Sequence, residues 1–454
     1  MKAIILAAGE GTRMKSRLPK CLHPILGRSM LDTVIQTVQE AGAKELIVVT
    51  GHEGQQIREA VKEPVTFVEQ KERRGTGHAV MTAAEHIRPE DTALVICGDT
   101  PLVTPEAIAR LCEQHLKDAS AVTVLSTIVD NAFGYGRIAR TGGRFPKIVE
   151  QKDLTPDQME IKEINTGIYL FHGRALLEAL PLLNTRNAAG EYYLTDTLEI
   201  IQANGLKADV YCAPDPEQFM GVNTRVQLAR AAEILKRRVN EQFMLAGVTM
   251  IDPASVWIER GVVIGEDTLL YPGVILEGAT KIGPGCVIGP NTRIVNCEIN
   301  HDVEISSSVL IDSHVGAFST VGPFAYLRPH SHVGAHCKIG CFVDVKNATL
   351  GDNTKAAHLT YVGDADVGSG VNFGCGTVTV NYDGHKKYRT VIEDNAFIGC
   401  NTNLVSPVTV KESAYVAAGS TITEEVPAKA LAIARARQIN KTGWIHQSQN
   451  KTEA

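Results

Sequence analysis

Through the second half of this 454-residue chain an aliphatic residue returns at every sixth position. Ile258, Ile264, Leu270, Leu276, Ile282, Ile288 and Ile294 keep step, and after a nine-residue skip so do Val303, Val309, Val315, Val321, Leu327, Val333, Ile339 and Val345. A helix brings its apolar face round near 3.6 residues and a half-buried strand near 2, so neither accounts for six. A short strand and a corner, repeated and stacked coil on coil, does: a parallel β-helix. One coil cannot enclose its own apolar positions, so each depends on its neighbours and the stack is stiff. Ile-Gly and Val-Gly pairs recur at Gly265, Gly283, Gly289, Gly316, Gly322, Gly334 and Gly340, and are expected at corners needing a small residue or a positive φ. The phase slips near Leu350, Ala356 and Val362 and again at Val367 and Phe373. It recovers at Ile392, Ile398, Leu404, Val410, Val416 and Ile422, after an insertion running from Val380 to Arg389.

A chain of this length exceeds one core, and about 150 residues per domain gives two or three. A net charge of -6 and a pI of about 6.2 give no electrostatic reason to expect nucleic acid or an acidic membrane surface as partner. The opening apolar run stops at Gly9 and is followed by Glu10, Arg13 and Lys15, so it reads as a first buried strand rather than a signal peptide. No stretch approaches the ~20 apolar residues of a membrane span, and a cytoplasmic protein is expected. The ten Cys include no CxxC pair, which favours reduced core thiols over zinc or disulfides.

Short apolar runs alternate with helical patterns up to about residue 225. Ala3–Ala7, Glu45–Thr50, Thr66–Val68, Ala93–Cys97, Ala121–Ile128 and Ile164–Phe171 read as strands, with helices at Ser29–Ala41, Gly77–Ala84 and Pro105–His115. That alternation predicts a mostly parallel α/β sheet, whose ligands bind beyond the carboxyl ends of the strands. The first such loop is Leu6-Ala7-Ala8-Gly9-Glu10-Gly11-Thr12-Arg13-Met14, followed by Pro19-Lys20. Its glycines let backbone N–H groups approach phosphate, and Arg13 and Lys20 can neutralise the charge. A dinucleotide fingerprint would want glycine where Met14 stands, with an acid ending the second strand, whereas Asp32 sits in a helical pattern. A Walker loop fails for want of Gly-Lys-Ser/Thr. A solvated turn is the competing reading of Lys20, and a helix-entry residue that of Asp99.

The loop and Pro-Lys resemble the signature of sugar-1-phosphate nucleotidyltransferases. Glu69-Gln70 before Gly75-Thr76-Gly77, Cys97-Gly98-Asp99, Gly134-Tyr135-Gly136-Arg137, Glu150-Gln151-Lys152, Asn165-Thr166-Gly167 and Gly221-Val222-Asn223 extend the match. The resemblance implies a Rossmann-like sheet whose Leu6, Ala7, Ala8 and Gly9 wrap the nucleotide of UTP. Gln70, Gly75 and Thr76 would hold uracil, Gly136, Glu150 and Asn165 the sugar, Arg13 and Lys20 the departing pyrophosphate, and Asp99 with Asn223 a Mg²⁺. The chemistry suits these groups: charge accumulates on in-line oxygens as the α-phosphorus is attacked, so catalysis is positioning plus electrostatic stabilisation. Cys97 departs from the Tyr-like residue often found before this glycine.

Between the halves, Leu228, Ala232, Leu235, Val239 and Phe243 follow helical spacing from Thr224 to Ala246, and Gly247 is suited to end the helix. Such a helix spans roughly 34 Å and is expected to act as a strut. The Lys236-Arg237-Arg238 run reads as its solvated face. The chain thus divides into 1–226, a linker helix 227–247, and 248–454.

Stacked hexads are scaffold, and chemistry must come from what interrupts them. His358-Leu-Thr-Tyr361-Val-Gly-Asp364, Asn372-Phe-Gly-Cys375-Gly and Asn381-Tyr382-Asp383-Gly384 resemble the acetyltransferase half of the bifunctional N-acetylglucosamine-1-phosphate uridyltransferase and glucosamine-1-phosphate acetyltransferase family. Members of that family wind their hexads into a left-handed β-helix and assemble as homotrimers, and the similarity leaves out only the last ten or so residues, which look disordered. An imidazole titrating near ~6.5 suits removal of an amine proton, and the resemblance assigns His358 as that base. A satisfied core histidine is the competing reading. By the same resemblance Arg328, Lys346, Tyr361 and Asn372 hold glucosamine-1-phosphate, and Cys375, Tyr382, Cys400, Ala418 and Arg435 hold acetyl-CoA, with Asn381 at the border of both sets. Cys375 stands where Ala is usual, Cys400 where Ser is usual, and Asp344 where Glu commonly orients the histidine. A pocket drawing on more than one subunit is expected. Two other readings are open: nucleotidyl transfer alone on a hexad platform, and a catalytically silent regulatory subunit.

Overall fold

The computed structural model describes residues 1–51, 54–140 and 146–444, so the tail expected to be disordered falls largely outside the described residues. It separates into two compact units that meet within one helix, Met1–Lys236 and Arg237 onward.

The first unit is built on a nine-stranded sheet. Its main path runs Ala208–Ala213, Val122–Ile128, Glu163–His172, Thr92–Cys97, Lys2–Ala7, Glu45–Thr50, Thr66–Glu69. All six expected strands and three expected helices are present within a few residues. Parallel pairing dominates the path, but Glu163–His172 runs antiparallel to both of its main neighbours. Side chains of a strand alternate between faces, so Ala3, Ile5 and Ala7 enter one core and Ile4 the other. Ser29 caps the helix Met30–Glu40 by accepting from Asp32 N at 2.9 Å and donating to Asp32 Oδ2 at 2.7 Å. Asp32 therefore serves helix entry. The first loop leads into the one-turn 3₁₀ helix Thr12–Met14, with Met14 buried, and not into a long helix whose amides could face a pyrophosphate.

The second unit is a left-handed parallel β-helix of three sheets with 11, 10 and 9 strands, in which every third strand pairs in register. Val321 pairs with Ile339, eighteen residues on, and Ile339 with Ala356, seventeen on. Coils shortened by one residue account for the slip seen at Leu350, Ala356 and Val362. The inserted loop lengthens the step from Val367 to Ile392 to twenty-five.

Two features of the coils differ from the sequence expectation. The nine-residue skip resolves into five-residue steps around one full hexad, three of the four steps from Ile294 to Val315 being shortened, so the inward column runs Ile294, Ile299, Ile305, Leu310, Val315. Val309 is only half-buried beside fully buried Leu310, and Val303 fills a second inward position ahead of the strand Glu304–Ile305. Of the seven paired glycines only Gly322 has a positive φ. The others are required by space: a Cβ on Gly283 would lie 2.7 Å from His301 N, and one on Gly316 2.5 Å from Gly334 C. The left-handed corner residue comes two places later, at Asp267, Gly285, Asn291 and Phe318.

The expected joining helix is Arg225–Leu245. Its buried residues are Ala231, Ile234, Leu235 and Asn240, while Leu228 and Ala232 are half-buried. Asn240 Nδ2 donates to Pro253 O at 2.8 Å and Val256 O at 3.1 Å, and Val239 and Phe243 pack on the β-helix core. Among the described residues no helix is long and apolar enough to cross a membrane.

Two candidate active sites

In the first unit a cavity of ≈ 300 Å³ opens at the carboxyl end of the strand Lys2–Ala7. It is lined by Leu6, Ala7, Ala8, Gly9, Lys20, Gln70, Gly75, Thr76 and Asp99, all singled out from the sequence. Cys21, Arg73, Ala79, Cys97 and Glu191 line it as well. Gly11 has φ 62, and a Cβ there would lie 2.5 Å from Lys20 Cβ, so the loop folds directly over Lys20. The Lys20 ammonium bonds to Asp99 Oδ2 and, at 3.0 Å, to Asn223 Oδ1. Arg13 Nη2 donates to the same Asn223 oxygen at 2.9 Å. Val222 N donates to Asp99 O at 2.9 Å, which holds residues 99 and 223 together across the chain. Two oxygen ligands thus converge on one cation. Burial pushes the Cys97 and Cys21 thiols up to about 12, with Asp99 adding to the effect, so both are inert walls.

Gln70 is buried, and its Nε2 donates to Gly75 O at 3.1 Å, closing the turn that presents Gly75 and Thr76. Gly75 has φ 102, and a side chain there would strike Tyr192 O. Gly136, Glu150 and Asn165 form a second group: Asn165 N donates to Gly136 O at 2.9 Å, and a Cβ on Gly136 would lie 3.4 Å from Glu150 Oε2. Burial raises the Glu150 carboxyl above the usual range, and the negative charge of Asp196 adds to it. These three do not line the ≈ 300 Å³ cavity. Tyr135, next to Gly136, has its hydroxyl bonded to the Gly221 backbone, and burial raises its phenol above the usual range, with the charge of Asp99 adding to it.

In the β-helix the parallel register decides which residues meet. Ala356, Phe373, Ile398 and Val416 pair in sequence, so the residues two places on, His358, Cys375, Cys400 and Ala418, form one outward column at one corner. Four of the residues assigned by resemblance thus stand one per coil, about 4.8 Å apart. Arg435 lies at the end of this column, its Cδ 3.8 Å from where a Cβ on Gly419 would be. His358 is exposed, which removes the core-histidine reading. Cys341, one coil earlier, pairs with it directly.

On the adjoining sheet Arg328 and Lys346 occupy equivalent places on successive coils, and Asp344 pairs with Tyr361. Asp364 gathers the neighbours: Asn381 Nδ2 bonds to its Oδ2, Lys346 Nζ lies 3.9 Å from the same oxygen, and Asn381 Nδ2 is 3.4 Å from the Tyr361 hydroxyl. The inserted loop is anchored by Arg389, which bonds both Asp366 carboxylate oxygens, Ala365 O at 3.0 Å and Asn347 O at 3.2 Å. Tyr382 bridges to Lys387 within it. Lys387, which the sequence reading passed over, is brought against Lys346, and that amine holds its pKa below the usual lysine range. A lysine in a basic loop carries no pattern of its own, and the fold supplies its partner.

A nucleotidyltransferase sheet with a cation-holding carboxylate, followed by a hexad β-helix with an exposed histidine column, defines a transferase with two sites. Residues 3–192 match the model of the MobA-like NTP transferase domain, and residues 261–296 match that of the bacterial transferase hexapeptide (six repeats). The protein named "Bifunctional protein GlmU" of Clostridioides difficile (strain 630) is 52% identical over 453 residues, covering 100% of this chain and 99% of that one. Those of the same name from Alkaliphilus metalliredigens (strain QYMF), 52% identical over 98% of both chains, and Geobacillus thermodenitrificans (strain NG80-2), 48% identical over 100% of this chain and 99% of its own, align equally throughout. The chain belongs to this bifunctional GlmU family.

Proposed function

We propose that the chain makes UDP-N-acetylglucosamine, a cell-wall precursor, in two transfers in the cytoplasm: acetylation of glucosamine-1-phosphate in residues 248–454, then uridylyl transfer from UTP to the product in residues 1–226, with 227–247 as linker. The observation that carries the reading is the single column His358, Cys375, Cys400, Ala418, beside a sheet face bearing Arg328 and Lys346.

In the acetyl transfer the sugar nitrogen attacks the thioester carbonyl, the N–C bond forms and the C–S bond breaks. His358 Nε2 takes the amine proton and returns it to the leaving thiolate. Arg328, Lys346 and Lys387 hold the phosphate as charge-assisted donors, and Tyr361, Asn372 and Asn381 fix the sugar. Cys375, Tyr382, Cys400, Ala418 and Arg435 track acetyl-CoA along the column.

In the uridylyl transfer Gln70, Gly75 and Thr76 seat uracil, the Leu6–Gly9 turn lies along the nucleotide, and Gly136, Glu150 and Asn165 hold the sugar. Arg13 and Lys20 receive the charge that passes to pyrophosphate. Asp99 and Asn223 fit Mg²⁺, since a carboxylate and an amide oxygen are hard ligands already turned to one cation. When bound, the ion polarises phosphate oxygens.

The active assembly is a homotrimer. Phe324 and Phe342 stack at 5.3 Å yet are each 58% exposed, and Leu359, at the same corner one coil on, is 59% exposed. All three have positive φ, a cost of about 1 kcal/mol each for a bulky residue, and they adjoin the His358 column. A second copy covering them would wall the histidine site. Purified protein given glucosamine-1-phosphate, acetyl-CoA, UTP and Mg²⁺ should yield UDP-N-acetylglucosamine by mass spectrometry. Uridylylation with no acetyl-CoA turnover would reduce the β-helix to a platform.

A further inference from the structure

A neutral imidazole has one nitrogen that donates and one that accepts. For Nε2 of His358 to take a proton, Nδ1 must carry the ring hydrogen, and the partner of Nδ1 sets the tautomer and the ring orientation. Cys341 Sγ lies 3.3 Å from Nδ1. Asp344, standing where Glu commonly orients the ring, bonds elsewhere: Oδ2 lies 3.5 Å from Arg328 Nη1, and the buried Oδ1 has no hydrogen-bond partner among the described residues.

We propose that Cys341 is the positioning residue for His358, its sulfur accepting from Nδ1–H so that Nε2 faces the amino group. The proposal rests on the reading of His358 as base. Parallel pairing of Cys341 with His358 points both side chains from one corner. Gly340 allows the coils to close there, because a Cβ at 340 would run into Ala357 O. The flanking groups along the column are the Cys341 and Cys375 thiols, and on the next sheet the Asp344–Arg328 pair and Tyr361. Sulfur is a weak acceptor, so Cys341 orients the ring while stabilising the imidazolium less than a carboxylate would.

The test compares full-length wild type with Cys341→Ala, Cys341→Asn, Cys341→Asp and His358→Ala, reading kcat, both KM values and the pH profile of acetyl transfer, with thermal melts alongside. Cys341→Ala should lower kcat about three- to tenfold, the weight of one hydrogen bond, with both KM values unchanged. Its acid limb should move to lower pH, because an imidazolium without its Nδ1 acceptor loses its proton more readily. Cys341→Asn, whose amide oxygen can accept, should recover kcat, and Cys341→Asp should move the acid limb to higher pH. Wild-type kinetics in Cys341→Ala, or a fall in kcat and melting temperature in all three variants with a fixed acid limb, would overturn the proposal. If Cys341→Ala does not fold, the Asn and Asp variants decide it by the same limb movement. Should His358→Ala retain acetylation, the base assignment itself is wrong. If it loses acetylation while Cys341 variants behave as wild type, only the positioning role fails.

Discussion

On the proposed reading Asp99 and His358 divide the two reactions between them. Without the Asp99 carboxylate, Lys20 keeps only Asn223 among the described residues. Asp99→Ala should therefore lose uridylyl transfer by about 10²–10³-fold, as when an electrostatic group is removed, and keep acetylation. His358→Ala should lose acetylation by about 10²–10⁴-fold and keep pyrophosphate release. Loss of both activities in either variant would count against the division. Glu150 gives a pH test: its folded-state carboxyl is raised by burial, so the charged form is lost, as pH falls, sooner than for an ordinary carboxylate. The KM for the sugar phosphate in uridylyl transfer should climb as pH falls through that raised value, and Glu150→Gln should flatten the climb. The corresponding stability term has the opposite sense: proton binding favours the fold at low pH and is lost as pH rises through the folded value. Motif residues such as Gly9, Gln70 and Asp99 were readable because turns and phosphates demand particular residue types at fixed spacing. Arg73 and Glu191 were not, since they reach the cavity only by tertiary placement.

At the scale of elements the hexad period was legible, and the inward member of each neighbouring pair was not. Val309 and Leu310 are both aliphatic, and only stacking on Ile294 and Leu327 selects Leu310. Leu310→Ala should cost about 2–5 kcal/mol in thermal or denaturant unfolding, as buried leucines do. Val309→Ala, half-exposed, should stay within about 0.5–1 kcal/mol, and equal losses would restore the original phase. Gly340→Ala should shift the coil that carries His358 and lower both stability and acetylation, read by melting and CoA release. The short helices Gly54–Ala60 and Gly173–Ala179 and the strand Ala208–Ala213 gave too few periods to stand out in the sequence.

For the whole molecule, the proposed trimer would make acetylation depend on assembly at the exposed apolar corner. Phe342→Glu should leave monomers by light scattering, with acetylation lost and uridylyl transfer kept. A trimer that persists with full acetylation would place the subunit interface elsewhere. Composition and periodicity divide the chain into 1–226, 227–247 and 248–454, whereas the two compact units part inside the helix at Lys236 and Arg237, by packing that no local pattern encodes.

The column of corner residues also gives the second site a direction. Coils before His358 present the cations Arg328 and Lys346, and coils after it present Cys375, Cys400 and Ala418. On the proposed reading the amino sugar phosphate therefore lies toward the earlier coils and acetyl-CoA toward the later ones, with His358 where the two approaches meet.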